Sequence, residues 1–121
     1  MRYTSTRNNN ISVLSYKAIL DGISPDGGLY VPSELPKLSE SDLNHMQTLD
    51  YLGKAVFVLK AFLPEFSQEE LTDCVSKSIQ RFEENIVAPI VKLDDTVYIL
   101  ELWHGPTFAF KDVALTLLPS L

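Results

Sequence analysis

Glu101-Leu102-Trp103-His104-Gly105-Pro106-Thr107-Phe108-Ala109-Phe110-Lys111-Asp112 is the stretch on which the reading of this chain turns. It follows a strand-like apolar run, His104 to Thr107 reads as a turn, and residues 108–118 read as a helix with Thr107 available as N-cap. A strand that passes through a turn into a helix points to a mixed α/β fold. The turn also places a single lysine, Lys111, beside Phe108, Ala109 and Phe110. A lysine that forms a Schiff base must be partly neutral near neutral pH. Apolar neighbours disfavour its ammonium form, and so does a place in the first turn of a helix. Asp112 acts in the opposite direction unless its carboxylate faces away, for instance onto the helix N-terminal amides. The plainer alternative is a snorkelling surface lysine beside an ordinary helix start, and composition alone favours it.

Working outward toward the N-terminus, Ile90-Val91-Lys92-Leu93 and Val97-Tyr98-Ile99-Leu100 flank Asp94-Asp95-Thr96 and predict a hairpin. Adjacent residues at a strand end point apart, so Asp94 and Asp95 read as a turn and not as a catalytic carboxylate pair. Ser67 and Glu70 form a capping-box pair ahead of Leu71, Cys74, Val75, Ile79 and Phe82, an amphipathic helical stripe. Leu49, Leu52, Val56, Leu59 and Leu63, widened by Ala55 and Phe62, predict a well-buried helix stopped by Pro64. Ser33 to Ser41 reads as a loop, and His45 stands alone in a loop. Ser24-Pro25-Asp26-Gly27-Gly28 is the densest turn signal, followed by a short strand, Leu29-Tyr30-Val31, that Pro32 cuts off. Ser12 can cap a short helix that places Val13, Tyr16, Ile19 and Leu20 on one face, with Gly22 ending it. Asn8-Asn9-Asn10 reads as a turn.

The 121 residues suit one domain of roughly 100–150 residues, and a hydrophobic share of 45% excludes wholesale disorder. Ten basic against sixteen acidic residues argue against a nucleic-acid partner. A lone Cys74 cannot make an internal disulfide, and on an apolar helical face it reads as a packing residue. Neither His45 nor His104 has a close Cys or His partner, so no metal site is expected. Gly27-Gly28 and Gly105 form no phosphate-binding glycine loop. The longest apolar run, Ala55-Val56-Phe57-Val58-Leu59, ends at Lys60, whereas a membrane span needs about 20 residues. The N-terminus has no apolar signal region. The expectation is a cytoplasmic protein.

Gly105-Pro106-Thr107 followed by Phe108-Ala109-Phe110-Lys111-Asp112 resembles the cofactor-lysine motif of the threonine synthase family, fold-type II enzymes dependent on pyridoxal phosphate (PLP). Ala-Phe-Lys-Asp by itself is shared with related dehydratases and synthases, and two further stretches make the resemblance specific. Tyr3-Thr4-Ser5-Thr6-Arg7 looks like the family's N-terminal strand. Ile19-Leu20-Asp21-Gly22-Ile23-Ser24-Pro25-Asp26-Gly27-Gly28-Leu29-Tyr30-Val31-Pro32 looks like its helix-turn-strand signature. The three stand in the family's order and spacing, with its helical pair between them, from about residue 1 to about residue 118.

The resemblance implies an N-terminal lobe of helices with short strands over residues 1–85, including strands near Tyr3 and Tyr30. Residues 86–121 would then begin a PLP-dependent catalytic domain that is incomplete here. It implies Lys111 as the lysine that binds PLP and as the base for the first proton removal. Thr107, Phe110 and Asp112 would shape its surroundings. The family's reaction converts O-phospho-L-homoserine and water to L-threonine and phosphate, a step of threonine biosynthesis catalysed by a lyase. In the family the phosphate cradle, the partner of the pyridine nitrogen and the contacts to the ring hydroxyl lie downstream of the lysine. The family also continues after Ala114-Leu115 with a glutamine and then a glycine, where Thr116-Leu117-Leu118-Pro119-Ser120-Leu121 stands here. The 121 residues are therefore expected to be a truncated N-terminal portion, inactive and without PLP as they stand. An incomplete domain of this kind can pair its edges with a second copy. The alternative is a self-contained small binding module that keeps the scaffold without catalysis and shows no exposed apolar edge.

Overall fold

A computed structural model describes all 121 residues and divides the chain into two compact units, Met1–Thr72 and Asp73–Leu121.

The first unit is built on an antiparallel three-stranded sheet of order β2-β1-β3, with β1 at Arg2–Ser5, β2 at Val13–Leu14 and β3 at Tyr30–Pro32. Tyr3 sits in the centre of it, opposite Val13 on one side and Pro32 on the other. Pro32 lacks an amide to donate, and its place on an edge strand tolerates that. The Asn8–Asn10 turn forms as the side chains dictate: the Asn10 amide donates to Asn8 Oδ1 at 3.0 Å, and the Ile11 amide to the Asn8 carbonyl at 3.1 Å.

The turn before β3 is tied to β1. Asp26 accepts from the Gly28 amide at 2.9 Å and from Ser5 Oγ at 2.8 Å, while Ser5 Oγ accepts from the Arg7 amide at 3.1 Å. A Cβ at position 28 would lie 2.1 Å from Ser5 Oγ, so only glycine lets the turn close onto the fully buried Ser5.

Helix α1 runs Ser15–Asp21 and ends at Gly22 in the left-handed region, as expected, with the Gly22 amide bonded to the Ala18 carbonyl. Ser12 is not its cap. Val13 and Leu14 are drawn into strand pairing with Tyr3 and Arg2, and the helix starts only after them, with no side-chain cap.

Helix α2, Glu40–Gln47, stands where the sequence read as loop, so His45 is helical. Its start is a capping box of Ser39 and Asp42, in which the Asp42 amide donates to Ser39 Oγ and the Ser39 amide to Asp42 Oδ2. None of its residues is buried, so it carries no apolar stripe to betray it. The His45 ring meets Phe57 at a centroid distance of 5.8 Å.

Helix α3, Tyr51–Phe62, lies where the periodicity put it, capped by Asp50, which accepts from the Gly53 amide at 2.8 Å. It is less buried than its sequence suggests: only Val56 falls below a tenth exposed. A cavity of about 620 Å³ bordered by Leu38, Leu49, Leu52, Val56 and Phe57 runs along it. Tyr3 Oη donates to the Phe62 carbonyl at 3.1 Å, and Glu65 accepts from Ser15 Oγ and from the N-terminal ammonium.

Helix α4, Gln68–Ile79, carries the predicted capping box, with the Glu70 amide donating to Ser67 Oγ at 3.1 Å and the Ser67 amide to Glu70 Oε2 at 2.7 Å. The unit division falls inside this helix. On the second unit's side, Cys74, Val75, Phe82 and Val87 are buried. Cys74 is the packing residue expected, its Sγ donating to the Ser120 carbonyl at 2.7 Å.

The predicted hairpin forms: β4, Ile90–Lys92, pairs antiparallel with β5, Tyr98–Leu100, so that Val91 stands opposite Ile99. Asp94 Oδ1 closes its turn by accepting from the Thr96 and Val97 amides at 2.7 and 2.8 Å. Beyond it lies the largest departure from the sequence reading. No helix spans residues 108–118: the chain turns through residues 105–111, forms a four-residue α5 at Asp112–Leu115, and ends in a 3₁₀ turn, Leu118–Ser120. No helix is long and apolar enough to cross a membrane.

Candidate functional site

The site is the turn between β5 and α5. The Glu101 amide still donates to the Pro89 carbonyl at 3.0 Å, extending the hairpin by one rung before the chain leaves it. His104 is anchored twice. Its Nε2 lies 2.6 Å from Glu101 Oε2, and its carbonyl accepts from the Glu83 amide at 3.2 Å. The Trp103 and His104 rings stack at 5.9 Å.

Gly105 comes next and is buried. A Cβ there would fall 2.4 Å from Asp112 Cβ, so the turn closes only over a bare backbone. The reason is the side chain of Asp112, which folds back under it. Asp112 Oδ2 accepts from the Thr107 amide at 2.8 Å, and Oδ1 accepts from the Thr107 hydroxyl at 2.7 Å. These bonds, the hydroxyl first, hold the buried Asp112 carboxyl below its ordinary pKa of 3.8.

Thr107 is therefore a donor to a carboxylate rather than the helix N-cap its type suggested. Asp112 is in turn seated from behind. Thr116 Oγ1 donates to the Asp112 carbonyl at 2.7 Å, and since that bond uses the Thr116 proton, Ser78 donates to Thr116 in their 2.7 Å pair. Phe108 takes a left-handed backbone, φ 57°, and completes the bend with its amide on the Gly105 carbonyl. For a bulky residue this conformation is costly, and the clasp beneath it keeps it in place.

Lys111 stands on this braced turn, one residue before Asp112. It is exposed, makes no hydrogen bond or ion pair, and lines a cavity of about 320 Å³ together with Arg81, Pro106, Thr107 and Leu115. Its aromatic neighbours do not desolvate it. Phe108 is 76% exposed and Phe110 65%. The four residues of α5 are also too few for the dipole effect expected of a longer helix. What the chain supplies is a fixed backbone and an unpaired amine; the apolar shell is not formed by these residues.

The structure thus brings Thr107, Lys111 and Asp112 together as the sequence suggested and assigns Asp112 a definite task, facing the turn amide. It leaves His45 and Cys74 elsewhere, and Asp94 is consumed by its own turn. The Glu101–His104 pair and the presence of Arg81 beside Lys111 carried no sequence signal. The Thr107–Asp112 clasp did, in the form of a hydroxyl residue and a carboxylate that bracket residues 108–111 just after a Gly-Pro pair. No group of three His, Cys, Asp or Glu side chains is placed to hold a metal ion.

Comparison with known proteins agrees over the whole chain. Residues 2–79 match the family described as Threonine synthase N terminus. The mouse protein "Threonine synthase-like 2" is 42% identical over 118 residues, covering 96% of this chain and 24% of that protein. Threonine synthase of Schizosaccharomyces pombe is 37% identical over 121 residues, covering 98% of this chain and 24% of its own. The crystal structure of PLP-bound threonine synthase from Brucella melitensis superposes with a TM-score of 0.90 at 36% identity, covering 99% of this chain and 26% of that one. The chain spans about a quarter of the length of these relatives. By sequence and by fold, this chain belongs to the threonine synthase family and corresponds to its N-terminal part.

Proposed function

We propose that the chain is the lysine-bearing N-terminal portion of a PLP-dependent lyase that makes L-threonine and phosphate from O-phospho-L-homoserine and water. Residues 1–85 would be its accessory lobe and residues 86–121 the start of its catalytic domain, acting in the cytoplasm on a small molecule and not on nucleic acid or membrane. The observation that carries this reading is the Gly105–Thr107–Asp112 clasp, which sets an unpaired Lys111 at the mouth of a cavity of about 320 Å³. An exposed primary amine on a rigid turn fits the carbonyl end of PLP, and Lys111 would hold it.

When bound, PLP supplies the electron sink that acidifies the substrate Cα–H. The residues here do the rest of what falls to them. Asp112 and Thr107 fix the backbone, so the Lys111 amine returns to one place. That amine takes the proton from Cα and can give it back. Across the reaction a Cβ–H bond and the Cγ–O bond to phosphate break, Cγ gains a proton, and water adds its oxygen to Cβ and releases a proton to the departing phosphate. No residue among the 121 is arranged as a cradle for the PLP phosphate or a partner for its ring nitrogen, so we expect no turnover from this chain alone.

The exposure of both faces of the β4–β5 hairpin supports this reading over a self-contained binding module. Ile90, Val91, Leu93, Val97, Tyr98, Ile99 and Leu100 are all exposed, a larger apolar face than a finished small module would leave in water. Strands that are apolar on both faces belong in a sheet covered on both sides.

The test is turnover. With O-phospho-L-homoserine and PLP, the 121 residues release no threonine. Spliced ahead of the remaining three quarters of the fission yeast relative, they do. Threonine from the short chain would overturn the inactive-portion reading. A folded splice without activity would overturn the assigned reaction.

A further inference from the structure

Six polar side chains are buried in this chain, and three of them, Ser78, Thr116 and Asp112, belong to residues joined in one line behind Lys111. Ser78, on α4, donates to Thr116 Oγ1, and Thr116 Oγ1 donates to the Asp112 carbonyl, both at 2.7 Å. The other buried residues of α4 and of the segment after it, Leu71, Cys74, Val75, Phe82 and Val87, are apolar. Alanine at 78 and valine at 116 would take nearly the same space and leave no polar group to satisfy. A buried hydroxyl pair adds little net stability over such an apolar pair.

What an apolar pair cannot do is fix the place of a carbonyl. The Asp112 carbonyl accepts twice, from the Thr116 amide at 3.0 Å and from the Thr116 hydroxyl. Both bonds of the line run in one direction, so each polarises the other. Helix α5 needs that help, because four residues are too few for a helix to hold itself. Its front is held by the Asp112 side chain on Thr107, five positions away. Its rear is held by Ser78, 38 positions from Thr116 and on a helix of 12 residues.

We propose that Ser78, acting through Thr116, is a positioning residue for Lys111: a hydroxyl relay that fastens the Asp112 peptide, and the lysine next to it, to α4. The relay bears on turnover only through the role of Lys111 proposed above, while its bonds belong to this chain alone.

The experiment is amide hydrogen exchange of the 121-residue chain, read by NMR at the Thr107, Leu115 and Thr116 amides and set beside urea unfolding. Thr116→Val should speed exchange at these amides about tenfold, the worth of one buried hydrogen bond. Thr116→Ser keeps the hydroxyl and should return it to within about threefold of the parent. The double variant Ser78→Ala/Thr116→Val separates positioning from packing. It leaves no hydroxyl unpaired, so its urea midpoint should stay near the parent's while exchange at the three amides stays at least about fivefold faster. Thr72→Val removes the same kind of hydroxyl bond, to the Gln68 carbonyl at the other end of α4, and should move none of the three.

In the spliced protein loaded with PLP, the double variant should lower kcat about tenfold or more and change KM for O-phospho-L-homoserine by less than about threefold. Exchange at the parent rate in the double variant would overturn the relay. A parent-like kcat in an active splice would overturn the positioning role and leave the assigned reaction standing. A parent splice that makes no threonine counts against the assigned reaction, and the exchange rates then decide the relay by themselves.

Discussion

The two small sheets of this chain are built from similar strands and closed by similar turns, yet they differ in what surrounds them. The β2-β1-β3 sheet has α1 packed against β1 and β2, Tyr3 bonded to α3, and Ser5 at full burial locking the 24–28 turn. The β4–β5 hairpin has an Asx turn as good as any in the first sheet, but all six of its paired residues are exposed. Local turn chemistry can therefore form a strand pair without a core to receive it. The hairpin's apolar content speaks of a covering layer, and the first sheet already has its own.

Substitutions can press on that contrast, and the largest effect should come from a filled interior. Leu71, with no exposed surface, should cost about 2–5 kcal/mol when cut to alanine, measured by urea unfolding. A loss below the low end would mean that Leu71 is not closely packed on all sides.

Next are the two glycines that close the key turns. Gly28→Ala would meet Ser5 Oγ and the Arg7 backbone, and Gly105→Ala the Asp112 side chain, so each should lose about 1–3 kcal/mol. If Gly105→Ala were neutral, the clasp below Lys111 would not be rigid. Ser5→Ala removes a buried hydroxyl that bonds Asp26 and the Arg7 amide and should cost about 1–3 kcal/mol in the same assay.

Acid should weaken both regions by the same route. The Gly28 amide and then Ser5 hold Asp26 below 3.8, and Thr107 does so for Asp112. A carboxylate whose folded pKa is depressed adds stability that is fully present above its unfolded value. That contribution is lost as pH falls through the lower, folded one. Stability should therefore be flat down to about the ordinary carboxylate pKa and decline below it, and Asp26→Asn or Asp112→Asn should flatten the decline. A steeper loss at neutral pH would point to other groups.

The smallest effect belongs to the hairpin. Ile99→Thr and Val91→Thr should change stability by no more than about 0.5 kcal/mol while lowering self-association in light scattering. A loss comparable to Leu71→Ala would show that the hairpin is covered after all.

Most of the elements could be read from side-chain chemistry acting within a few residues. The Ser67–Glu70 box, Gly22 at the end of α1, the Asp94 turn and the α3 periodicity are all of this kind. What escaped depended on partners far along the chain or on the lack of a buried face. Val13 and Leu14 became strand because β1 lies beside them. Helix α2 has a cap but no apolar stripe. The helix expected from residue 108 is cut short because Asp112 spends its side chain on Thr107, and Phe108 bends out of helical geometry to allow it. At the site, Lys111 was legible from its motif. Its neighbour Arg81 was not, because thirty positions of sequence separate them and only folding brings them to one cavity.

The role of Lys111 is tested most directly by borohydride reduction of the spliced protein loaded with PLP, followed by peptide mapping. One phosphopyridoxyl group per chain on Lys111, absent in Lys111→Ala together with the threonine-forming activity, is the expected result. A label on another lysine, or activity that survives Lys111→Ala, would contradict it.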